Sequence, residues 1–116
     1  MKVKFVKRAI EPQTIQVAGN DYPAILSYDA LATLEEYTEI PFAYSLARIT
    51  MDAPTTKDIV GFLLGVMQAA GVEVTAEDLL SSLEMGDSDE LLEIMKKLIA
   101  EQGPEESGKK KPLQKK

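Results

Sequence analysis

The sequence predicts an α+β fold that is mostly α: a small N-terminal antiparallel β-hairpin or three-stranded sheet, followed by a compact bundle of about five helices. Three observations carry this prediction. Apolar residues alternate with polar ones as far as Leu26, and beyond it they recur at the helical spacing of about 3.6. Gly19-Asn20, residues that tolerate positive φ, separate two alternating runs as a tight hairpin turn does. Helix start and stop signals then follow one another at short intervals to Gly103-Pro104.

The strand region spans residues 1–26. Val3 and Phe5 alternate with Lys2, Lys4 and Lys7, and Ile15 and Val17 alternate with Thr14 and Gln16. The run Tyr22 to Leu26 completes the hairpin, and Pro23, which cannot donate to a ladder, assigns that strand to an edge. Five helices are expected within residues 27–103. Ser27 caps the first, with Tyr28, Leu31, Leu34 and Thr38 inward and Glu35-Glu36 outward, until Pro41 breaks it and opens the second, whose inner face is Phe42, Leu46 and Ile49. Thr55 or Thr56 caps the third, with Asp58 in its first turn and a stop at Gly71. Thr75 with Asp78 resembles a capping box for the fourth, Val74 and Leu79 sit where a hydrophobic staple would, and Gly86 ends it. Asp87 with Glu90 repeats the cap signal for the fifth, which carries Leu91, Leu92, Met95, Leu98 and Ile99. The chain therefore reads as one domain, residues 1–103, and a disordered basic tail, residues 104–116.

Charge is placed unevenly along the 116 residues. The total is -6, yet residues 104–116 alone carry five Lys against two Glu, and removing Lys2, Lys4, Lys7 and Arg8 as well leaves -13 on residues 9–103. A body that acidic repels phosphate backbones, so nucleic acid is not expected as the main partner. The longest apolar stretch, Ile59 to Val66, is interrupted by two Gly and falls far short of the roughly 20 residues of a spanning helix, and no apolar segment follows the basic residues Lys2 to Arg8 as in a cleaved signal. A cytosolic protein without a membrane partner is expected.

The chain has no His and no Cys. Most enzyme classes are thereby removed: any catalysis would rest on carboxylates, hydroxyls, Lys or Tyr, no structural zinc site or disulfide can form, and no cofactor or metal is expected. Asp87-x-Asp89 opens like a calcium loop, but Leu92 stands where that loop needs Gly and Leu98 where it needs Glu. Glu35-Glu36 and Glu105-Glu106 diverge by about 100° on a helix and read as solvated charges. Gly61, Gly65 and Ala69 lie at i, i+4 and i+8 with no Lys-Ser/Thr after them, so they form no phosphate loop; they make a smooth stripe that lets another backbone approach closely. The third and fifth helices carry apolar residues over more than one face, which means either central burial or surface kept for a partner. On the second reading Phe62, Met67, Leu92 and Met95 are the candidate partner-binding residues, the flexible Met side chains suiting an adaptable face.

Gly86-Asp87-Ser88-Asp89-Glu90-Leu91 superficially resembles the phosphopantetheine attachment site of acyl carrier proteins. In that motif an apolar residue follows the Ser, where this chain has Asp89, and a carrier domain has further helices after the Ser where this chain has one. Capping of the fifth helix explains Ser88 and its neighbours without that reading.

A broader resemblance covers about residues 14–102. The stretch Gly19-Asn20-Asp21-Tyr22-Pro23-Ala24-Ile25-Leu26-Ser27-Tyr28-Asp29-Ala30-Leu31-Ala32-Thr33-Leu34-Glu35-Glu36, a helix near Ile59 to Ala70, and Thr75-Ala76-Glu77-Asp78-Leu79-Leu80 follow the order of elements in the tail assembly chaperones of long-tailed bacteriophages and prophages. Where relatives often place Gly after the first helix, this chain has Glu39-Ile40-Pro41. The resemblance implies a non-enzymatic protein of the host bacterial cytoplasm that binds the tape measure protein and tail tube subunits, with self-association into a homo-oligomer open. Such chaperones are commonly made in a short and a frameshifted long form, and Lys109-Lys110-Lys111 is what an A-rich slippery stretch would encode; an ordinary Lys-rich end is the alternative. A generic protein-binding adaptor or regulator from a mobile element is the runner-up function, and an acyl-carrier-like protein the third.

Overall fold

A computed structural model describes residues 1–104. The hairpin comprises β1 (Gln13–Val17) and β2 (Asn20–Ala24), paired antiparallel with Ile15 opposite Tyr22 and Val17 opposite Asn20. Five α-helices follow among the described residues: α1 (Tyr28–Thr38), α2 (Phe42–Thr50), α3 (Thr56–Ala69), α4 (Ala76–Ser82) and α5 (Ser88–Gln102), with a 3-10 turn at Met85–Asp87 before the last. The fold is α+β and mostly α, as expected, with a sheet of two strands. The expected strand around Val3 and Phe5 does not form: residues 1–12 carry no regular structure, and residues 1–10 are all exposed. The basic tail expected over 104–116, including Lys109-Lys110-Lys111 and Glu105-Glu106, lies outside the described residues from 105 onward.

The core is built around α3. Val60, Phe62, Leu63, Val66 and Met67 are buried on several sides of that helix, which is why its apolar stripe is wide. The hairpin contributes Ile15, Val17 and Ala24 from one face, leaving Thr14, Gln16, Asp21 and Pro23 outside, the period-two pattern of a half-buried strand. The other helices add Leu31 and Leu34 (α1), Leu46 and Ile49 (α2), Leu79 (α4), and Leu91, Met95, Leu98 and Ile99 (α5). Tyr28 departs from its expected inward position: it is 71 % exposed and meets Phe42 in a T-shaped ring contact, with centroids 6.1 Å apart, while Ala30 fills the core-facing place beside α3.

Gly61 and Gly65 form the smooth stripe, and α1 is the element that lies on it. A Cβ at Gly65 would overlap the Ala30 carbonyl oxygen, and one at Gly61 would stand 3.0 Å from Leu34 Cδ1. These two Gly set the close approach of α1 to α3, which the broad apolar face of α3 then seals.

Local signals fix most boundaries. Thr55–Asp58 and Thr75–Asp78 are reciprocal capping boxes with Asp as the acidic member, each bond between 2.9 and 3.0 Å. At the end of α3, Gly71 N–H donates to Gln68 C=O and Val72 N–H to Met67 C=O, with Gly71 at φ +92°, the six-to-one and five-to-two bonds of a Schellman stop. α2 stops the same way, with Asp52 at φ 63° in the left-handed position. Three expected boundaries differ. The hairpin turn places positive φ on Ala18 and Gly19, because Asn20 pairs with Val17 and belongs to β2. α4 ends at Ser82 and leaves Gly86 inside the 3-10 turn. Asp87 accepts from Glu84 N–H at 3.0 Å, so it caps that turn and makes no side-chain bond to α5.

Glu35 is not merely a solvated charge: its carboxylate accepts the Phe42 N–H at 2.9 Å and so caps α2, whose N-cap Pro41 has no side chain able to do it. α1 ends on Glu39 at φ 65°, the left-handed conformation in which a side chain costs about 1 kcal/mol relative to Gly. Glu39→Gly is therefore expected to raise stability by roughly 1 kcal/mol, read as a higher midpoint in urea with an unchanged slope.

Candidate functional site

Two places in the fold combine polar and apolar groups in a way the core does not require. The first is a cleft of about 250 Å³ between the hairpin turn, the end of α3 and α4. Each wall is held by a local device. The Schellman stop at Gly71 turns the chain out of α3, Gln68 Nε2 donates to the Val74 carbonyl at 2.9 Å across the loop, and the Thr75–Asp78 box starts α4. On the opposite wall the Ala18-Gly19 turn presents Val17 and Tyr22.

The cleft floor is apolar. Val17, Met67 and Leu79 form its buried base, and half-buried Tyr22, Val72 and Val74 give it accessible apolar area. Glu73 and Asp78 stand at the rim. Leu80, on α4, and Met85, just beyond it, are exposed apolar residues that do not line the cleft. Such an arrangement has the chemistry to accept apolar side chains, with the carboxylates favouring basic groups around them.

The second place is the ion pair at the start of α3. Asp58 is 0 % exposed, and its carboxylate accepts from Arg48 Nε at 2.7 Å, from Arg48 Nη2 at 3.0 Å and from the Thr55 N–H at 2.9 Å. Burial alone would push its pKa up; the bonds from Arg48 and Thr55, with a smaller contribution from the Ser45 hydroxyl, outweigh burial and hold it below the ordinary carboxylate value. Ser45 Oγ is buried without a hydrogen bond of good geometry, so its effect on Asp58 is electrostatic. Arg48 is on α2 and Asp58 on α3, so the pair fixes these helices to each other. The pair holds α2 to the start of α3, and that role is structural.

Of the four residues expected to meet a partner, Phe62, Met67 and Met95 are buried and Leu92 is half-buried. Phe62 and Met95 belong to the centre of the core, which corrects their assignment to a partner face: wide apolar stripes on α3 and α5 reflect burial on several sides. Met67 is brought to the cleft floor, while Leu92 packs at the core margin away from it. Tyr22, Val72 and Val74 were not singled out as partner-binding residues by sequence, because Tyr22 and Val72 read as ordinary strand and loop residues and Val74 as the staple of the fourth helix; the Gly71 stop just before Val72-Glu73-Val74 is the signal that a turn exposes this segment.

Ser88 lies at the first turn of α5. No group of three or more His, Cys, Asp or Glu residues is placed to hold a metal ion among the described residues, and no helix among them is long and apolar enough to cross a membrane. Compared with protein-family models, with curated proteins and with solved structures, the chain matches none.

Proposed function

We propose that this protein is a tail assembly chaperone of a long-tailed bacteriophage or prophage, acting without catalysis in the host bacterial cytoplasm on the tape measure protein and tail tube subunits. The observation that carries this reading is the agreement between resemblance and fold: the residues that carry the resemblance, about 14–102, coincide with the folded body from Gln13 to Gln102, in the same order of hairpin, Ser-capped helix and Thr-capped helix. Glu39 adds to it. The chain departs there from the Gly common in relatives, yet its backbone holds the left-handed conformation that Gly would supply.

In this reading the cleft takes apolar side chains from the long helical tape measure protein, and the acidic body keeps the complex soluble. Release follows from competition with polymerising tube subunits. The Lys109-Lys110-Lys111 codons belong to the same proposal: an A-rich run with an overlapping downstream frame is expected, and AAG interruptions without such a frame would contradict the two-form part of it.

The test is co-expression with the tape measure protein encoded in the same genome. The chaperone reading expects the tape measure protein to move from pellet to supernatant as a complex, and Glu73→Lys, an exposed change at the cleft rim, to reduce that yield at unchanged thermal stability. A tape measure protein equally insoluble with and without the chain, and no complex with tube subunits, overturns the reading; a stoichiometric complex with an unrelated protein favours an adaptor.

A further inference from the structure

We infer that the N-terminal arm, residues 2–8, of one copy adds as a third strand to the open edge of β1 in a second copy, over a groove between β1 and α5. The arm has strand patterning without a sheet. In an extended conformation Val3, Phe5 and Lys7 would share one side and Lys2, Lys4 and Val6 the other, and Val3, Phe5 and Val6 are 89 %, 87 % and 81 % exposed. Apolar alternation of this kind gains its free energy only when one side is covered.

The hairpin offers one edge fit to receive it. Its two-residue turn makes Val17–Asn20 a hydrogen-bonded pair, so Ile15–Tyr22 and Gln13–Ala24 are bonded too, and the peptide groups of Thr14 and Gln16 face outward from β1. On β2 the outward positions are Asp21 and Pro23, and Pro23 has no N–H. Beside the free edge lies a groove of about 300 Å³ whose floor includes Ile15, Ile94 and Leu98 and whose rim carries Glu90, Glu93 and Lys97. Val3 and Phe5 meet the apolar floor, and Lys7 on the same side meets Glu90 and Glu93, which outnumber Lys97 among the charged groups of the groove.

The arm's root favours a second copy over its own groove. Gln102 at the end of α5 donates to the Glu11 carbonyl at 3.0 Å while accepting from Leu26 N–H at 2.8 Å, and Pro12 fixes φ just before β1. Folding back requires the chain to reverse within Ala9–Pro12 and break that bond, whereas exchange between copies leaves it intact. This inference is independent of the chaperone reading.

The chain has no Cys, so introduced thiols are the only ones present. Sedimentation of the full chain is expected to show a concentration-dependent dimer, and Val3→Asp with Phe5→Asp is expected to raise its dissociation constant at least about tenfold, with the thermal midpoint unchanged at concentrations where both proteins are monomeric, because the arm lies outside the body. Mixed copies carrying Phe5→Cys or Ile94→Cys singly are expected to oxidise to a disulfide-linked dimer. A monomer at every attainable concentration, a dimer indifferent to the arm substitutions, or a disulfide that forms only within one chain of the double variant overturns the inference.

Discussion

Gly65→Ala is expected to destabilise the protein by about 3 kcal/mol, while Gly61→Ala four residues earlier on the same helix is expected to stay within about 1 kcal/mol of the unaltered chain. The contrast isolates the cause. Both substitutions gain the same helix propensity, and both sites face α1. At Gly65 the new methyl meets the Ala30 carbonyl oxygen, part of the α1 backbone, and it can be accommodated only by moving α1 off α3. At Gly61 it meets Leu34 Cδ1 at 3.0 Å and Tyr37 Cδ2 at 3.3 Å, side-chain atoms that can give way. For a domain of this size a loss of 3 kcal/mol lowers the thermal midpoint by roughly 15 °C. Equal midpoints for the two variants would mean that the α1–α3 approach is not set by the Gly65 backbone contact.

Asp58→Ala is expected to cost about 2 kcal/mol, from the capping-box bond to the Thr55 N–H, which loses its acceptor, and from the Arg48 guanidinium left without its partner. Arg48→Met acts in the same direction by leaving Asp58 buried without its counter-charge. The pair also predicts an acid limb. Because the folded-state pKa of Asp58 lies below its unfolded value, its contribution is fully present above about pH 4 and is lost as pH falls through the folded value. Urea midpoints measured between pH 7 and pH 2 test this: Asp58→Asn should start lower at pH 7 and show a shallower acid decline. Parallel declines in both proteins would show that Asp58 has no depressed pKa.

Elements whose signal is local were legible in the sequence. Ser27, Thr55 and Thr75 cap the helices they were expected to cap, Gly71 stops α3 and Gly103 stops α5. The stripe of Gly61 and Gly65 indicated a close helix approach, though only the structure names α1 as its partner. What sequence could not supply was long-range. The Arg48–Asp58 pair joins two helices, and Asp58 by itself reads only as a first-turn acid. Gln102 ties Leu26 and Glu11 to the end of α5 across 76 and 91 residues, and no local pattern announces it. Alternation at Val3 and Phe5 read as a strand because periodicity reports the side chains' preference for a sheet; the sheet within one copy offers no place for them without reversing the chain at Pro12. The width of the α3 and α5 stripes was ambiguous for a related reason, since central burial and a partner face leave the same apolar pattern, and Phe62 and Met95 fall on the burial side.

The cleft between the hairpin turn and α4 is the surface on which the proposed function depends, and amide hydrogen exchange of the chain with and without helical fragments of the tape measure protein tests it most directly. Binding at the cleft predicts slowed exchange at the end of β1 and start of β2, around Val17 to Tyr22, and from Val72 to Ser82, with α2 unchanged. Identical exchange in the presence of every fragment, or protection confined to α2, would contradict it.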